Sequence, residues 1–481
     1  MTIGPTGSGK VSLARQMARS VLALDLGVFG PEVVAKAKLC LLDFLSCAFE
    51  AGQHPWSRQA VAIAQAGGTA TIIGTSQLSS SADAAFANAV MGHGLVREDM
   101  HAASVAHHGV VIWPTLLALS EQTPLHGARL LSAAIIGYET GARIGRALLT
   151  SDLARLYRPT GLVAPPGAAL AGSFALGLSE DQATSAIAIA ANTSSGLNEW
   201  PHAGGSDMYF HPGFAASNAI KAIGLAAAGA FGSETILEGE AGLFAAYRRQ
   251  AAPDSITLFP DGESEIMAVY NKPVPACNFA QTAAQAALRV SHELASTEEI
   301  DRVIIRAPDA AVRYPGCDSM GPYRNALQAK MSIPFSVAAT LTRGEIEEEN
   351  YSELDDADII RLVAVTDLGA DPGFTAAFPG KQGAEVTVHL RGGRTIRHAL
   401  PDVIAATPSD IRARFRAAAT RVLGEDRAHR LEQLIDGCEQ LGNAGYIAAQ
   451  CRLNTPEQAL RSASQEMPNN TGEIWSTGRP A

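Results

Sequence analysis

His93, His101, His107 and His108, four of the chain's twelve histidines, fall within sixteen residues, in the segments Gly92-His93-Gly94-Leu95-Val96-Arg97-Glu98-Asp99-Met100-His101 and Ala106-His107-His108-Gly109. Imidazole takes or gives a proton near neutral pH without a large pKa shift. A glycine-flanked loop carrying several imidazoles beside Arg97, Glu98 and Asp99 therefore has the parts for moving a proton on an anionic substrate. A metal site is the competing reading. The intervals from His93 to His101, from His101 to His107 and from His107 to His108 contain no i, i+4 helical pair of the kind found in His-Glu-x-x-His sites, so no metal is expected.

Two other features invite chemistry. Gly4-Pro5-Thr6-Gly7-Ser8-Gly9-Lys10-Val11 comes close to a phosphate-cradling loop, but Val11 has no hydroxyl for magnesium and only three residues precede Gly4, too few for the strand that should deliver the loop. A flexible leader over residues 1–19 is expected instead. Cys277, in Lys272-Pro273-Val274-Pro275-Ala276-Cys277, lies in a turn-rich segment where a nucleophilic role would need a paired base. The six cysteines are scattered and make no Cys-x-x-Cys pair, as expected where thiols stay reduced.

The elements that must position these groups follow from composition and periodicity. A chain of 481 residues suggests two to four domains. Lys+Arg 37 against Asp+Glu 48 gives a net charge of -11, no footprint for nucleic acid or an anionic membrane, although local positive charge could still bind an acidic metabolite. Residues 47 % hydrophobic are broken by glycine, proline and charge before any stretch reaches the ~20 residues that span a bilayer, and the N-terminus shows no secretory signal, so a cytoplasmic protein is expected. Val34, Ala37, Leu41, Leu45 and Ala48, between Gly30-Pro31 and Gly52, predict a helix. Alanine-rich helical stretches follow around 81–91, 126–149, 165–176, 180–193, 213–231 and 279–291. After about residue 270 strand-like runs occur at 300–306 and 385–390, the latter passing through Gly392-Gly393 into 394–400 as a hairpin. Helical spacing returns from Ser409, and residues 466–481 read as a loose tail.

The order of segments resembles the MmgE/PrpD family, whose members include 2-methylcitrate dehydratases, cis-aconitate decarboxylases and iminodisuccinate epimerases. The matching signals are Leu42-Asp43-Phe44-Leu45; Asn88 with His93 and Glu98-Asp99; His107 before Pro114; Gly137-Tyr138-Glu139; and Ser195-Gly196-Leu197 with Glu199. His211-Pro212-Gly213-Phe214-Ala215-Ala216, Leu237-Glu238-Gly239 with Gly242, Lys272-Pro273 with Pro275 and Cys277, and Ala329-Lys330-Met331-Ser332 complete the series. The resemblance implies a mainly α fold, with a large all-α domain built from both chain ends (20–270 and 405–465) and a smaller inserted α/β domain (271–404). It also implies an active site in the cleft between the domains, a cytoplasmic homodimer, and no metal or organic cofactor.

The family chemistry so implied begins at a carbon acid flanked by carboxylates and needs a base for the carbon-bound proton and cations for the carboxylates. His107 and Lys272 match functional positions of the decarboxylase and dehydratase branches, and Asp99 matches part of their acidic motif. Three positions depart. Met208 stands where those branches carry a lysine, Gln281 where they carry a histidine, and Phe335 where the decarboxylase carries a tyrosine. These exchanges weaken decarboxylation and dehydration, whereas two proton-transfer groups on opposite faces suffice for epimerisation. The expectation is an epimerase of the iminodisuccinate type acting on a small di- or tricarboxylate. His107, Lys272 and His101 are its catalytic candidates, with Asp99 orienting His101 or His107. Arg97, His108, His211, Gln281 and Met208 are expected around the substrate. A 2-methylcitrate dehydratase-like hydro-lyase and a non-catalytic family member are the alternatives.

Overall fold

A computed structural model describes residues 11–248 and 251–453. The near-phosphate-loop residues 4–10 and the tail 466–481 lie outside the described residues. The fold is mainly α, 59 % helix and 9 % strand, with a small inserted α/β part.

Two hydrophobic cores organise it. The first gathers helices from both ends of the chain, from Leu13 to Val269 and again from Ile411 to Cys451. Its central helix, Pro31–Glu50, starts behind Gly30 with proline in its first turn, where the missing N–H costs nothing, and buries Leu41, Phe44 and Leu45. Helix Pro408–Leu423, capped by a reciprocal Thr407–Asp410 box, returns the chain to pack on it. The leader expected over 1–19 is corrected in part. Leu13–Val21 is a helix whose Leu13, Ala14, Met17, Ala18 and Val21 are buried, capped by the Ser12 hydroxyl and pinned by Arg15 to Glu180, Asp181 and Glu234. Apolar residues one helical turn apart are what make that face bury.

Strands β1 (Ala66–Thr71) and β2 (Leu78–Ser79) form a small antiparallel ribbon, as do β3 (Met100–His101) and β4 (Val269–Tyr270). The second core is chiefly that of the inserted part, with Val96, Ala154, Trp200, Met208 and Tyr209 packed into it. It holds strands β5 (Ile300–Ala307), β6 (Thr366–Ala370), β7 (Ala384–Leu390) and β8 (Thr395–Leu400) in the order β6-β5-β7-β8, with only β5 and β6 parallel. Helices Gln281–Ser291 and Ile333–Arg343 cover the sheet, and Val303, Ile305, Val386 and Val388 fill the space between. The β7–β8 hairpin closes at the predicted Gly392-Gly393, with Gly393 at φ 84°.

Candidate active site

The β3–β4 ribbon sets the histidine loop against the start of the inserted part, pairing His101 with Val269 and Met100 with Tyr270, the latter two residues before Lys272. Helix Ser81–His93 ends at Gly94, which leaves His93 as its last residue, and the next helix begins at Gly109. Gly109 is required there, because a Cβ would lie 2.3 Å from the Tyr138 hydroxyl and 2.5 Å from Asp99 Oδ2. Two lysines of the inserted part grip the loop. Lys330 Nζ donates to the Leu95 carbonyl at 3.0 Å and pairs with Glu348 at 2.7 Å, and Lys272 Nζ donates to the Val96 carbonyl. Val96 and Val105 adopt φ of 57° and 47°. A β-branched residue pays about 1–3 kcal/mol in that region, and such strain gathers at functional sites.

Glu98 is the hub of the buried cluster. Its Oε1 lies 2.5 Å from His93 Nδ1 and 2.9 Å from His107 Nδ1, and His107 Nδ1 also meets the Asp99 carbonyl at 2.9 Å. Arg158 Nη2 is 3.1 Å from His93 Nε2. One tautomer assignment satisfies all four contacts: Arg158 donates to His93 Nε2, and both histidines donate Nδ1–H to Glu98. Burial drives His93 below its ordinary pKa and His107 down to about 4, further than the attraction of Glu98 raises them, so both rings are neutral at physiological pH. Burial opposes ionisation of Glu98, but its two histidine partners outweigh this and hold it well below the usual carboxylate range. With Nδ1 committed, Nε2 is the nitrogen through which His107 can accept a proton.

His107 and Arg158 line a cleft at the edge of the second core. Val96, Met100, Val105 and Met208 come to it from the N-terminal part of the chain, and Cys277, Asn278, Phe279, Tyr314 and Met331 from the inserted part. As it stands the cleft leaves about 20 Å³ for a guest, the room of about one water molecule, so a substrate enters only when its walls part. Arg158 is placed by the Ser195-Gly196 turn. Its backbone N–H donates to the Gly196 carbonyl at 3.1 Å, and a Cβ on Gly196, which sits at φ 128°, would lie 3.1 Å from the Arg158 Cβ. Arg158 Nε, Glu98 Oε2 and His211 Nδ1 are buried without hydrogen-bond partners, a concentration of unmet polar capacity beside one cleft. A larger concavity of about 500 Å³ borders Lys38 and Arg412, whose charges are spent on Glu439 at 2.5 Å and Asp436 at 2.6 Å.

The structure separates the other expected residues. His101 faces away from the cleft, with Nε2 2.9 Å from Glu265 and Nδ1 2.7 Å from Ser104 Oγ, and Ser104 in turn contacts His108 Nε2 at 3.1 Å. Glu265 also takes Arg143 at 2.9 Å and Arg146 at 2.7 Å, so His101 and His108 belong to a buried network that braces the loop. The Asp99 carboxyl does not orient a histidine. It bonds to the Tyr138 hydroxyl, and burial lifts its pKa to about 7; the carboxylate on His107 is that of Glu98. Arg97 is buried and paired with Glu50 at 2.5 Å, so it does not line the cleft. Gln281 binds the backbone of the Lys-Pro turn, with Oε1 accepting from Val274 N–H and Nε2 donating to the Val274, Ala276 and Cys277 carbonyls. Lys272 sits one layer behind the cleft wall, with its pKa lowered to about 8 by burial. Met208 is on the wall, its Sδ against His93 Nε2 at 2.8 Å, and His211 is held neutral by burial and by Arg158. Phe335 packs in the second core against Tyr323 and Tyr351.

Sequence spacing missed two residues around which the candidate site is built. Glu98 was visible only as a neighbour of Asp99, and Arg158 carries no motif. Spacing also failed to foresee that His93, Glu98 and His107 offer ligand atoms within 4.8 Å of one another and so could supply a metal with two nitrogens and an oxygen. Their direct contacts aim those atoms at one another, so a cation about 2.0–2.2 Å from each would require the trio to spread.

Residues 15–255 match the MmgE/PrpD N-terminal domain and residues 274–440 the MmgE/PrpD C-terminal domain. The chain is 25 % identical over 453 residues to a cis-aconitate decarboxylase-like protein of Aspergillus oryzae, covering 87 % of this chain and 92 % of the relative. Over 199 residues it is 32 % identical to the cis-aconitate decarboxylase of Aspergillus terreus, 39 % of this chain and 40 % of that protein. Identity to the human cis-aconitate decarboxylase is 24 % over 480 residues, 94 % and 97 % of the two chains. With its histidine loop, Lys-Pro turn and two cores in the matched order, the chain belongs to the MmgE/PrpD family.

Proposed function

We propose that this protein removes a proton α to a carboxylate of a small di- or tricarboxylate and returns one to the opposite face, as an epimerase of the iminodisuccinate type. The observation that carries the reading is the neutral, buried His107, with Nδ1 fixed by Glu98 and the ring on the wall of a cleft that also presents Arg158. A substrate carboxylate pairs with the Arg158 guanidinium, and His107 Nε2 takes the α-proton. The imidazolium so formed lies 2.9 Å from the Glu98 carboxylate, and Arg158 stabilises the enolate charge. Lys272, protonated at neutral pH yet unusually acidic, supplies the return proton once its ammonium leaves the Val96 carbonyl. Met208, where other branches carry a lysine, leaves one wall without the second cation that a decarboxylase-type substrate would meet. The same first step followed by loss of a leaving group is a lyase reaction, favoured by the names of the relatives.

Incubation in D2O with iminodisuccinate, 2-methylcitrate, citrate and cis-aconitate, followed by proton NMR, separates the outcomes. The proposal expects deuterium at an α-carbon with the skeleton intact and inversion of configuration. A new alkene signal or loss of a carboxylate would replace epimerisation with a lyase reaction, and no turnover of any carboxylate would favour a non-catalytic family member.

A further inference from the structure

The reaction proposed above makes no use of the thiols in the cleft wall. Cys277 lies on that wall, and its Sγ is 3.6 Å from Sγ of Cys317, forty residues away on a different segment. Both belong to held backbone. Cys277 N–H donates to the Lys330 carbonyl at 2.8 Å, and the Cys317 carbonyl accepts from Ile333 N–H at 2.9 Å. Phe279 and Tyr314, two and three residues from the cysteines, pack ring to ring at 5.2 Å and line the same cleft. Cys40, Cys47, Cys438 and Cys451 are buried in the helical part.

We propose that Cys277 and Cys317 form an oxidisable dithiol in the wall of the active cleft, which a hydroperoxide converts to a disulfide that shuts the enzyme down. The two thiols differ in the way such chemistry needs. Burial raises the Cys277 pKa, but the Cys317 S–H, the Phe279 N–H and the Lys272 and Arg158 charges more than offset it and hold it below the ordinary thiol value; burial pushes Cys317 well above. Cys277, which faces the cleft, is thus the more acidic and the attacking sulfur, and Cys317 the resolving thiol behind it. The Cys277 sulfur attacks one peroxide oxygen, the O–O bond breaks, and hydroxide leaves and takes up a proton to become water, which leaves a sulfenic acid. Cys317 sulfur then attacks that sulfur, the S–O bond breaks, and the hydroxyl departs as water with the Cys317 proton. Two thiols are oxidised by two electrons and one hydrogen peroxide is reduced to two waters. Bridging needs the sulfurs to close from 3.6 Å to the ~2.05 Å of a disulfide, within reach of side-chain rotation. The bridge ties together the two segments that carry Phe279 and Tyr314 and so reshapes the wall these rings form.

The test treats the whole reduced protein with stoichiometric hydrogen peroxide and follows intact mass, peptide maps and α-proton exchange. The expected result is a loss of about 2 Da, a Cys277–Cys317 cross-linked peptide, and at least a tenfold fall in exchange that dithiothreitol reverses. Cys317→Ser, which lies behind the cleft wall, is expected to keep the exchange rate of the reduced protein and to add oxygen at Cys277 in place of the cross-link, with no dithiothreitol-reversible inhibition by disulfide. Peroxide-treated wild type without the cross-linked peptide, or a cross-linked enzyme with undiminished exchange, would overturn the proposal. The mass readout decides the cross-link even if the protein exchanges no α-proton, so failure here and failure of the epimerase reading are distinguishable.

Discussion

Replacing Glu98 by Gln removes one charge at the centre of the cluster and nearly nothing else. Gln keeps an oxygen for the two Nδ1–H donors of His93 and His107, and Glu98 Oε2, where the amide nitrogen would sit, has no partner to lose. In the resting enzyme the substitution changes little, because both histidines are neutral. The charge matters once His107 has taken the substrate proton. At 2.9 Å and an effective dielectric constant of about 20, the imidazolium and carboxylate attract by about 6 kcal/mol, an upper bound on the loss. The excess of a charge-assisted over a neutral hydrogen bond, about 1–1.5 kcal/mol, is the lower bound. At about 1.4 kcal/mol per factor of ten, kcat/KM for α-proton exchange is expected to fall by about 10²-fold, within limits of about 10 and 10⁴. Because Glu98 raises the pKa of His107, the acid limb of the pH–rate profile, near pH 4 in the wild type, is expected to move lower in the variant. A Glu98→Gln enzyme within threefold of wild type, its acid limb unmoved, would refute the coupling of this carboxylate to the base.

Arg158→Gln keeps a donor for His93 but removes the cation from the cleft, and is expected to raise KM for a carboxylate substrate by roughly 30-fold, equivalent to about 2 kcal/mol of charge-assisted pairing, as steady-state kinetics would record. Lys272→Met is expected to lose epimerisation while His107-dependent α-proton exchange persists, and wild-type epimerisation is expected to fall on a basic limb near pH 8, where the ammonium is no longer available to return a proton, as optical rotation followed against pH would record. Asp99→Asn should alter the pH dependence of stability. The buried carboxyl titrates at about 7 when folded against 3.8 in the unfolded chain, so its folded form binds the proton more tightly, and its stabilisation is complete below pH 3.8 and lost as pH rises through 7. The full difference is about 4 kcal/mol, and urea unfolding is expected to show the variant gaining on wild type by up to that amount between about pH 4 and pH 8. A pH-independent gap between the two proteins would show that Asp99 is ionised throughout.

The large features were legible because long helices carry their period on their surface. Gly30-Pro31 opened the Pro31–Glu50 helix where expected, and the Gly392-Gly393 turn fixed the β7–β8 hairpin. The short Leu13–Val21 helix was missed because nine residues before a turn give too few periods to stand out, and its stability comes from tertiary burial and from Arg15's ion pairs over 160 residues away. Strand β6, with Gly369 within, four residues partly buried and Ala370 exposed, has no alternating face to read. In the site, residue types were legible and partners were not. The crowding of histidines marked the loop, but which carboxylate meets which ring depends on how the chain turns at Val96 and Val105, whose left-handed backbones no propensity predicts. One residue of rotation sends Asp99 to Tyr138 and Glu98 to His107. Arg158 reaches the cleft through the Gly196 turn, a contact between segments 38 residues apart.

The central claim, that His107 Nε2 is the base for an α-carbon proton, is tested most directly by chemical rescue. Wild type and His107→Gly, with folding verified by circular dichroism, are followed by proton NMR in D2O with the best carboxylate substrate, with and without added imidazole. The account predicts that the variant loses at least about 10³-fold in α-deuterium incorporation, within the contribution of a general base plus its positioning, and that imidazole restores part of it with a pH dependence set by the added base. Exchange in His107→Gly that matches wild type without imidazole would contradict the account.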